Sequence, residues 1–110
     1  MKYYYNEDNT AIGALISSDY GSGWSTYNNN EVGLALDRDV ISYWLYYKDN
    51  RTEEELREDF ARMGYDVDNF YGWKNIQLVW VPVDATFRIM EYDGAEYVEI
   101  FDASAWITVK

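Results

Sequence analysis

The sequence predicts an α+β protein, in which an antiparallel sheet of about four to six strands packs against two helices. Three patterns carry this prediction: amphipathic helical spacing in residues 37–48, a capped helix at 52–63, and an Asp-Gly turn at 93–94 between strand-forming runs. The chain has 110 residues, of which 48% are hydrophobic and 19% aromatic. Because this length supports one packed core, we expect a single domain over 1–110.

The first third of the chain alternates short strand candidates with polar loops. Residues 1–5 are predicted to form a short strand, and residues 11–18, which are mostly small and apolar, a buried strand. Glycine and asparagine residues within 19–30 indicate a loop. A tight turn at 21–23 in this loop lets Trp24 fold back onto the domain.

Residues 37–48 are predicted to form the first helix, with Asp37 as its N-cap. Four apolar side chains share its inner face at helical spacing: Val40, Ile41, Trp44 and Leu45.

Residues 52–63 are predicted to form the second helix. Thr52 and Glu55 have the spacing of a capping box, in which each side chain accepts a hydrogen bond from the backbone N–H of the other residue. Gly64 suits the C-terminal end. Three apolar residues form the inner stripe: Leu56, Phe60 and Met63.

The remainder of the chain has the composition of antiparallel strands. Four runs rich in β-branched and aromatic residues are predicted strands: 76–81, 86–92, 95–101 and 106–109. Asp93-Gly94 predicts a two-residue hairpin turn, because both central residues of such a turn adopt positive φ. Pro82 marks an edge, a bulge or the end of a strand, since proline lacks the N–H that a ladder needs.

Composition excludes several classes of function. The chain has no cysteine and no histidine, so it lacks a thiol nucleophile, the commonest general base and the commonest transition-metal ligand, and no histidine can activate a serine. The turn at 21–23 lacks the lysine of a phosphate-binding loop, and residues 66–77 lack the glycine and final acid of a calcium loop. We therefore expect no enzyme activity, no catalytic residue, no metal and no cofactor.

The charge predicts the class of partner. Twenty acidic residues oppose nine basic ones, which gives a formal net charge of −11. This field repels nucleic acids and anionic membranes and attracts a basic protein or nucleoprotein complex. No apolar run reaches the length of a membrane span, and the N-terminus lacks the apolar segment of a signal peptide. We expect a cytoplasmic protein.

The negative charge is concentrated in two stretches. Residues 52–70 carry seven acids against two arginines, and residues 84–102 carry six acids against one arginine, for a net charge of −5 in each. Glu53, Glu54 and Glu55 lie in the first turn of the second helix, where the helix dipole favours negative charge, so they also serve to start that helix. Like charges four residues apart repel each other, however, and a helix selected for stability alone would alternate its signs. Rows of carboxylates can occupy the positions where a partner binds phosphates.

The predicted partner-binding residues fall into two patches. The first patch lies on and after the second helix and comprises Glu54, Glu55, Glu58, Asp59, Asp66 and Asp68. The second patch belongs to the hairpin and comprises Glu91, Asp93 and Glu96.

Four segments of the chain form a further pattern: residues 20–26, 34–37, 80–82 and 87–94. Together they resemble a group of small bacteriophage-encoded proteins. The resemblance implies a phage or prophage origin and a site of action in the cytoplasm of an infected bacterial host. Small acidic phage proteins of this kind are often inhibitors of host defence, including anti-CRISPR and anti-restriction proteins.

Three functions follow as hypotheses. The first is a phage inhibitor whose acidic surface, acting as a DNA mimic, blocks the nucleic-acid-binding site of a defence system. The second is a homo-oligomeric structural or regulatory phage protein, which forms a homodimer through helix 37–48. The third is a protein that sequesters a small signalling molecule in an aromatic pocket. The residues of that pocket would be Tyr20, Trp24, Tyr43, Trp44 and Trp73.

Overall fold

The computed structural model describes residues 1–101, and their fold is α+β, as predicted. The strands are β1 (Ala11–Ser17), β2 (Ile76–Pro82), β3 (Phe87–Tyr92) and β4 (Ala95–Ile100). The α-helices are α1 (Gly33–Leu36), α2 (Arg38–Tyr47) and α3 (Glu53–Arg62), and a 3-10 helix covers Tyr71–Asn75. The predicted strand 106–109 and the acid Asp102 lie outside the described residues.

The single sheet of four to six strands predicted from the sequence is wrong. The described strands form two separate two-stranded antiparallel sheets, β1–β2 and β3–β4. In the first sheet β1 pairs with β2 from Ala11 opposite Pro82 to Ser17 opposite Ile76. Residues 1–5 make two isolated bridges, Tyr3 to Asp37 and Tyr5 to Ile12, instead of the predicted strand.

The β3–β4 hairpin has the predicted turn. Asp93 and Gly94 have φ angles of 49° and 87°, which match a turn with two left-handed central residues. A Cβ atom on Gly94 would lie 2.7 Å from the backbone nitrogen of Gly21. Glycine is therefore needed here for the close approach of the loop before Trp24 as well as for the turn.

The helix caps are also confirmed. The Asp37 carboxylate accepts a hydrogen bond from the N–H of Asp39 at 3.0 Å and starts α2. Thr52 and Glu55 form the reciprocal capping box of α3, with distances of 3.1 and 3.2 Å. Gly64 follows α3 with a φ of 91°.

The core consists of two apolar clusters joined by β1. The larger cluster centres on Trp24, whose ring lies 5.7 Å from the rings of Phe60 and Trp73 and whose Nε1–H donates to the carbonyl oxygen of Leu34. The smaller cluster lies between the β1–β2 sheet and the hairpin. Leu15 belongs to the larger cluster, whereas its neighbour Ala14 belongs to the smaller one, because alternate residues of a strand face opposite sides.

The predicted inner face of α2 needs one correction. Val40, Ile41 and Trp44 are buried, but Leu45 is 43% exposed. At 3.6 residues per turn, Leu45 points about 90° away from the centre of that buried stripe. The outer side of α2 therefore presents Leu45 and the neighbouring Tyr46, which is 75% exposed.

Candidate functional site

Glu54 and Glu58 form the outermost part of α3. They lie on the side opposite Leu56 and Phe60, which are 3% and 0% exposed and fix the orientation of the helix. Within residues 1–101, neither carboxylate has a hydrogen-bond or ion-pair partner. Their spacing of four residues places both charges on one side of the helix, ready for an external cation.

Arg57, which lies between these two glutamates, does not neutralise them. Its guanidinium forms an ion pair with Glu53 at 2.8 Å and donates to the backbone carbonyl oxygens of Val67 and Asp68 at 2.7 and 3.2 Å. It also lies over the ring of Phe70. Arg57 therefore fastens the segment after α3 to the side of the helix.

Asp66 and Asp68 are exposed on this fastened segment. A second support comes from Asn28, whose Oδ1 accepts hydrogen bonds from the N–H groups of Asp68 and Asn69 at 3.1 and 2.9 Å. The chain thus presents four exposed carboxylates from two segments that are tied to each other. No pattern in the sequence indicates that Asn28 and Arg57 hold this segment in place. Both bind its backbone groups, and those of Asn28 lie forty or more positions away along the chain.

Glu55 and Asp59, also predicted for the first patch, form hydrogen bonds and ion pairs with other residues of the protein. Glu55 accepts from the N–H of Thr52 and pairs with Arg51 at 3.1 Å, and the hydrogen bonds with Thr52 lower the pKa of its carboxyl. Asp59 is 16% exposed and accepts hydrogen bonds from the Tyr43 hydroxyl and the Arg62 guanidinium.

The hydrogen bond between Tyr43 and Asp59 shifts the pKa of both side chains in opposite directions. The Tyr43 hydroxyl lowers the pKa of Asp59, with a further contribution from Arg62. Burial raises the pKa of Tyr43 strongly, and the Asp59 carboxylate adds to the effect. Asp59 therefore stays ionised as part of the junction between α2 and α3, where a partner has little access to it.

The hairpin patch is smaller than predicted. Asp93 and Glu91 are exposed at the turn, and Glu91 also accepts a hydrogen bond from the N–H of Gly94 at 2.8 Å. Two exposed aromatic side chains, Tyr20 and Tyr92, meet edge to face beside the turn with their ring centroids 6.3 Å apart.

The prediction of Glu96 as a surface residue is wrong, since its side chain is only 3% exposed. The carboxylate accepts hydrogen bonds from the backbone N–H groups of Ser17, Trp24 and Thr26 at 2.8, 2.9 and 3.0 Å. The hydroxyl of Thr26 donates a fourth bond. Because β4 alternates its side chains, Glu96 faces β1 and the loop before α1, and it fastens the hairpin to both.

The predicted aromatic pocket is not assembled. Trp24, Trp44 and Trp73 are 0%, 7% and 6% exposed and pack within the larger cluster. Tyr43 packs against Phe60 and Trp73 at the edge of that cluster, whereas Tyr20 lies exposed beside the hairpin turn. The five rings therefore do not line one common pocket: four belong to the larger cluster or its edge, and Tyr20 lies apart from them.

Residues 1–101 contain no group of three or more acidic side chains placed to hold a metal ion. In the same part of the chain, no helix has the length and apolar character needed to cross a membrane. Comparisons of the chain with protein-family models, curated proteins and solved structures found no match.

Proposed function

We propose that this protein is a phage-encoded inhibitor of a bacterial defence system, of the anti-CRISPR or anti-restriction type. Its acidic surface binds a basic host protein or nucleoprotein complex and blocks the site where that partner binds nucleic acid. The surface comprises the exposed carboxylates of Glu54, Glu58, Asp66 and Asp68 and is called the α3 acidic surface below. The resemblance of several segments to small phage proteins supports the origin and the class of target.

The observation that carries the proposal is the presence of unneutralised carboxylates on a rigid support. Arg57 and Arg62, the basic side chains of α3, are engaged internally, with Glu53 and with Asp59. Lys74 lines a groove together with Asp68, but the two form no ion pair within residues 1–101. The repulsion between Glu54 and Glu58 costs α3 a few tenths of a kcal/mol. An arginine or lysine of a partner would relieve that repulsion and gain charge-assisted hydrogen bonds.

Rigidity adds to the affinity that this surface can reach. The backbone of Glu54 and Glu58 is helical, and the backbone of Asp66 and Asp68 is held by Arg57 and Asn28. A partner therefore orders few groups on binding, apart from the side-chain rotamers. Such a fixed array of negative charge suits cationic side chains that are spaced to contact phosphates.

The test is capture of the target from a bacterial host lysate with the tagged protein, followed by affinity measurements on the identified complex. We expect Glu54→Lys combined with Glu58→Lys to weaken binding by at least about tenfold and to reduce its salt dependence. The charge-matched control is Glu7→Lys combined with Asp49→Lys, which reverses two exposed acids outside this surface. We expect this control to change affinity less than about threefold.

The captured complex should also release the protein when duplex DNA or guide RNA is added, because both ligands use the same cationic site. Equal affinity of the Glu54/Glu58 variant and the wild type would show that the α3 acidic surface is not the interface. Capture of a complex that binds nucleic acid and inhibitor simultaneously would contradict the blocking mechanism.

A second candidate is a homo-oligomeric structural or regulatory phage protein. It is favoured by the exposure of Leu45 and Tyr46 on the outer side of α2, at 43% and 75%. Large exposed apolar side chains that lie together commonly belong to interfaces. A loss of self-association in Tyr46→Lys, measured by light scattering, would support an interface through helix 37–48.

A further inference from the structure

The outer edge of β2 has backbone N–H and C=O groups that are free within the described residues, and the ladder geometry identifies them. On β1, the N–H of Gly13 donates to the carbonyl oxygen of Tyr4, and the N–H of Ser17 donates to Glu96, so both groups point away from β2. In an antiparallel pair, the N–H and C=O groups of two directly opposite residues either both point toward the partner strand or both point away from it. The partners Trp80 and Ile76, and Leu78 between them, therefore direct their N–H and C=O groups outward.

This outward edge has no hydrogen-bond partner within residues 1–101. The three residues of this edge have apolar side chains, of which Ile76 and Leu78 are half-buried and Trp80 is 48% exposed. Natural proteins protect such an edge with a lysine, a bulge or an internal proline. Here the only proline stands at the last position of the strand, and the three outward-facing residues, Ile76, Leu78 and Trp80, leave the edge open.

Space for another strand lies beside this edge. A groove runs between the first residues of β2 and the ends of α2 and the 3-10 helix, and its walls include Trp44, Lys48, Trp73, Lys74, Ile76 and Leu78. Both lysines are exposed, and the same walls carry one exposed acid, Asp49, so the groove has a net positive charge at the N-terminal end of β2. Beyond the opposite end of the strand, Asp84 is exposed two residues after Pro82.

We propose that β2 is a self-association edge, on which β2 of a second copy of this chain pairs in antiparallel orientation. Antiparallel pairing places the cationic end of each copy beside the Asp84 end of the other, so the charges are complementary by symmetry. The free groups set the register, with Leu78 opposite Leu78 and Ile76 opposite Trp80 of the second copy. This register forms about six main-chain hydrogen bonds and does not require an N–H from Pro82.

The resulting dimer has a continuous four-stranded sheet in the order β1–β2–β2–β1. Trp80 of each copy packs against Ile76 of the other, which covers the half-exposed indole. Two copies with a formal net charge of −11 each repel at long range. Salt screens this repulsion, so we expect the dimer to strengthen with ionic strength. Binding of a cationic target to the α3 acidic surface weakens with salt, which separates the two interactions experimentally.

The test is sedimentation equilibrium of the full chain over a range of concentrations, at low and at physiological salt. We expect a reversible dimer whose dissociation constant rises at least about tenfold in Trp80→Lys, because an edge lysine opposes strand pairing. Glu54→Lys is the control for the change in net charge, and Tyr46→Lys is the control for an interface through α2. Both controls should dimerise within about threefold of the wild type.

Amide hydrogen exchange of the wild type keeps the proposal testable if Trp80→Lys does not fold. The amides of Leu78 and Trp80 should be protected at concentrations that favour the dimer and exchange rapidly on dilution, whereas those of Gln77 and Val79 stay protected throughout. A wild type that remains monomeric up to about 1 mM would overturn the proposal. So would a dimer that survives Trp80→Lys or dissociates in Tyr46→Lys. Rapid exchange of the Leu78 amide in the dimer would also overturn the proposal.

Discussion

Glu96 is the residue on which the attachment of the hairpin depends. Its carboxylate accepts from three backbone N–H groups that belong to β1 and to the loop before α1. Burial of an ionised carboxylate is costly unless its oxygen atoms are hydrogen-bonded, and here four donors satisfy it. The same interaction satisfies backbone groups that lie outside any helix or sheet ladder. Glu96 therefore stabilises the fold through its partners as much as through its own charge.

Substitution of Glu96 should destabilise the protein far more than substitution of an exposed acid. We expect Glu96→Ala to lower the free energy of unfolding by about 3–5 kcal/mol, because two buried N–H groups and one half-buried N–H group lose their acceptor. Glu96→Gln should cost about 1–3 kcal/mol, since its NH2 group must face at least one backbone donor. Urea unfolding at pH 7 measures both values.

Glu99 on the same strand is the matched control for Glu96. It pairs with Arg88 at 2.8 Å, and the two side chains are 40% and 63% exposed. We expect Glu99→Gln to change the free energy of unfolding by less than about 1 kcal/mol. Equal effects of Glu99→Gln and Glu96→Gln would contradict the assignment of Glu96 as the anchor of the hairpin.

At the scale of elements, α3 combines a helix start that the sequence specifies with contacts that it does not. The capping box at Thr52 and Glu55 depends on residues three apart, and the structure forms it as predicted. Asp59, in contrast, accepts from Tyr43 of α2, sixteen positions earlier. This contact turns a predicted surface acid into part of the packing between two helices.

Asp59 should make the free energy of unfolding depend on pH in the acidic range. The hydrogen bond from Tyr43 holds its pKa in the folded protein below the ordinary value of 3.8, so the folded state binds fewer protons than the unfolded state in this range. The stabilisation is therefore fully present above pH 3.8 and is lost as the pH falls through the lowered pKa. We expect Asp59→Asn to cost about 1–2 kcal/mol at pH 7, and the difference from the wild type should shrink as the pH falls below 3.8.

Thermal unfolding of the wild type and Asp59→Asn between pH 7 and pH 2.5 measures this difference. Glu58→Gln serves as the control, because the neighbouring Glu58 has no hydrogen-bond or ion-pair partner within residues 1–101. A difference between the wild type and Asp59→Asn that stays constant down to pH 2.5 would show that the Asp59 charge does not stabilise the fold.

The elements that the sequence predicted well are those with local signals. Asp93-Gly94 specifies its turn through positive φ, and Asp37 specifies the start of α2 through one hydrogen bond. The failures depend on distant residues. In the sequence Glu96 is indistinguishable from the other hairpin acids, because its donors at 17, 24 and 26 approach it only in the folded chain. The division into two sheets likewise involves distant segments, since β1 forms its ladder with β2 and not with the hairpin. The α3 acidic surface was predicted only in part, because ion pairs and hydrogen bonds decide which acids stay exposed.

At the scale of the whole molecule, β1 connects the two apolar clusters. Leu15 faces the cluster around Trp24, whereas Ile12 and Ala14 face the cluster under the hairpin. The hairpin is joined to the rest of the fold by Glu96 and by a hydrogen bond from the N–H of Gly21 to the carbonyl oxygen of Asp93. An isolated two-stranded hairpin is at best marginally stable in water. Its stability therefore derives from these hydrogen bonds and from the packing of Phe87, Ile89 and Val98 against the smaller cluster.

We predict that the described fold unfolds as one cooperative unit and that Glu96 is the residue that couples its parts. Native-state amide exchange measures this directly, because the slowest amides of α2 and of the β3–β4 ladder report the opening free energy of each part. In the wild type the two values should agree within about 1 kcal/mol. In Glu96→Ala the hairpin should open with the lower free energy, because its buried acceptor is lost while the cluster around Trp24 is unchanged. A wild-type hairpin that already opens at much lower free energy than α2 would show that the two sheets are energetically independent. In that case the Glu96 hydrogen bonds would position the hairpin without coupling its stability to the core.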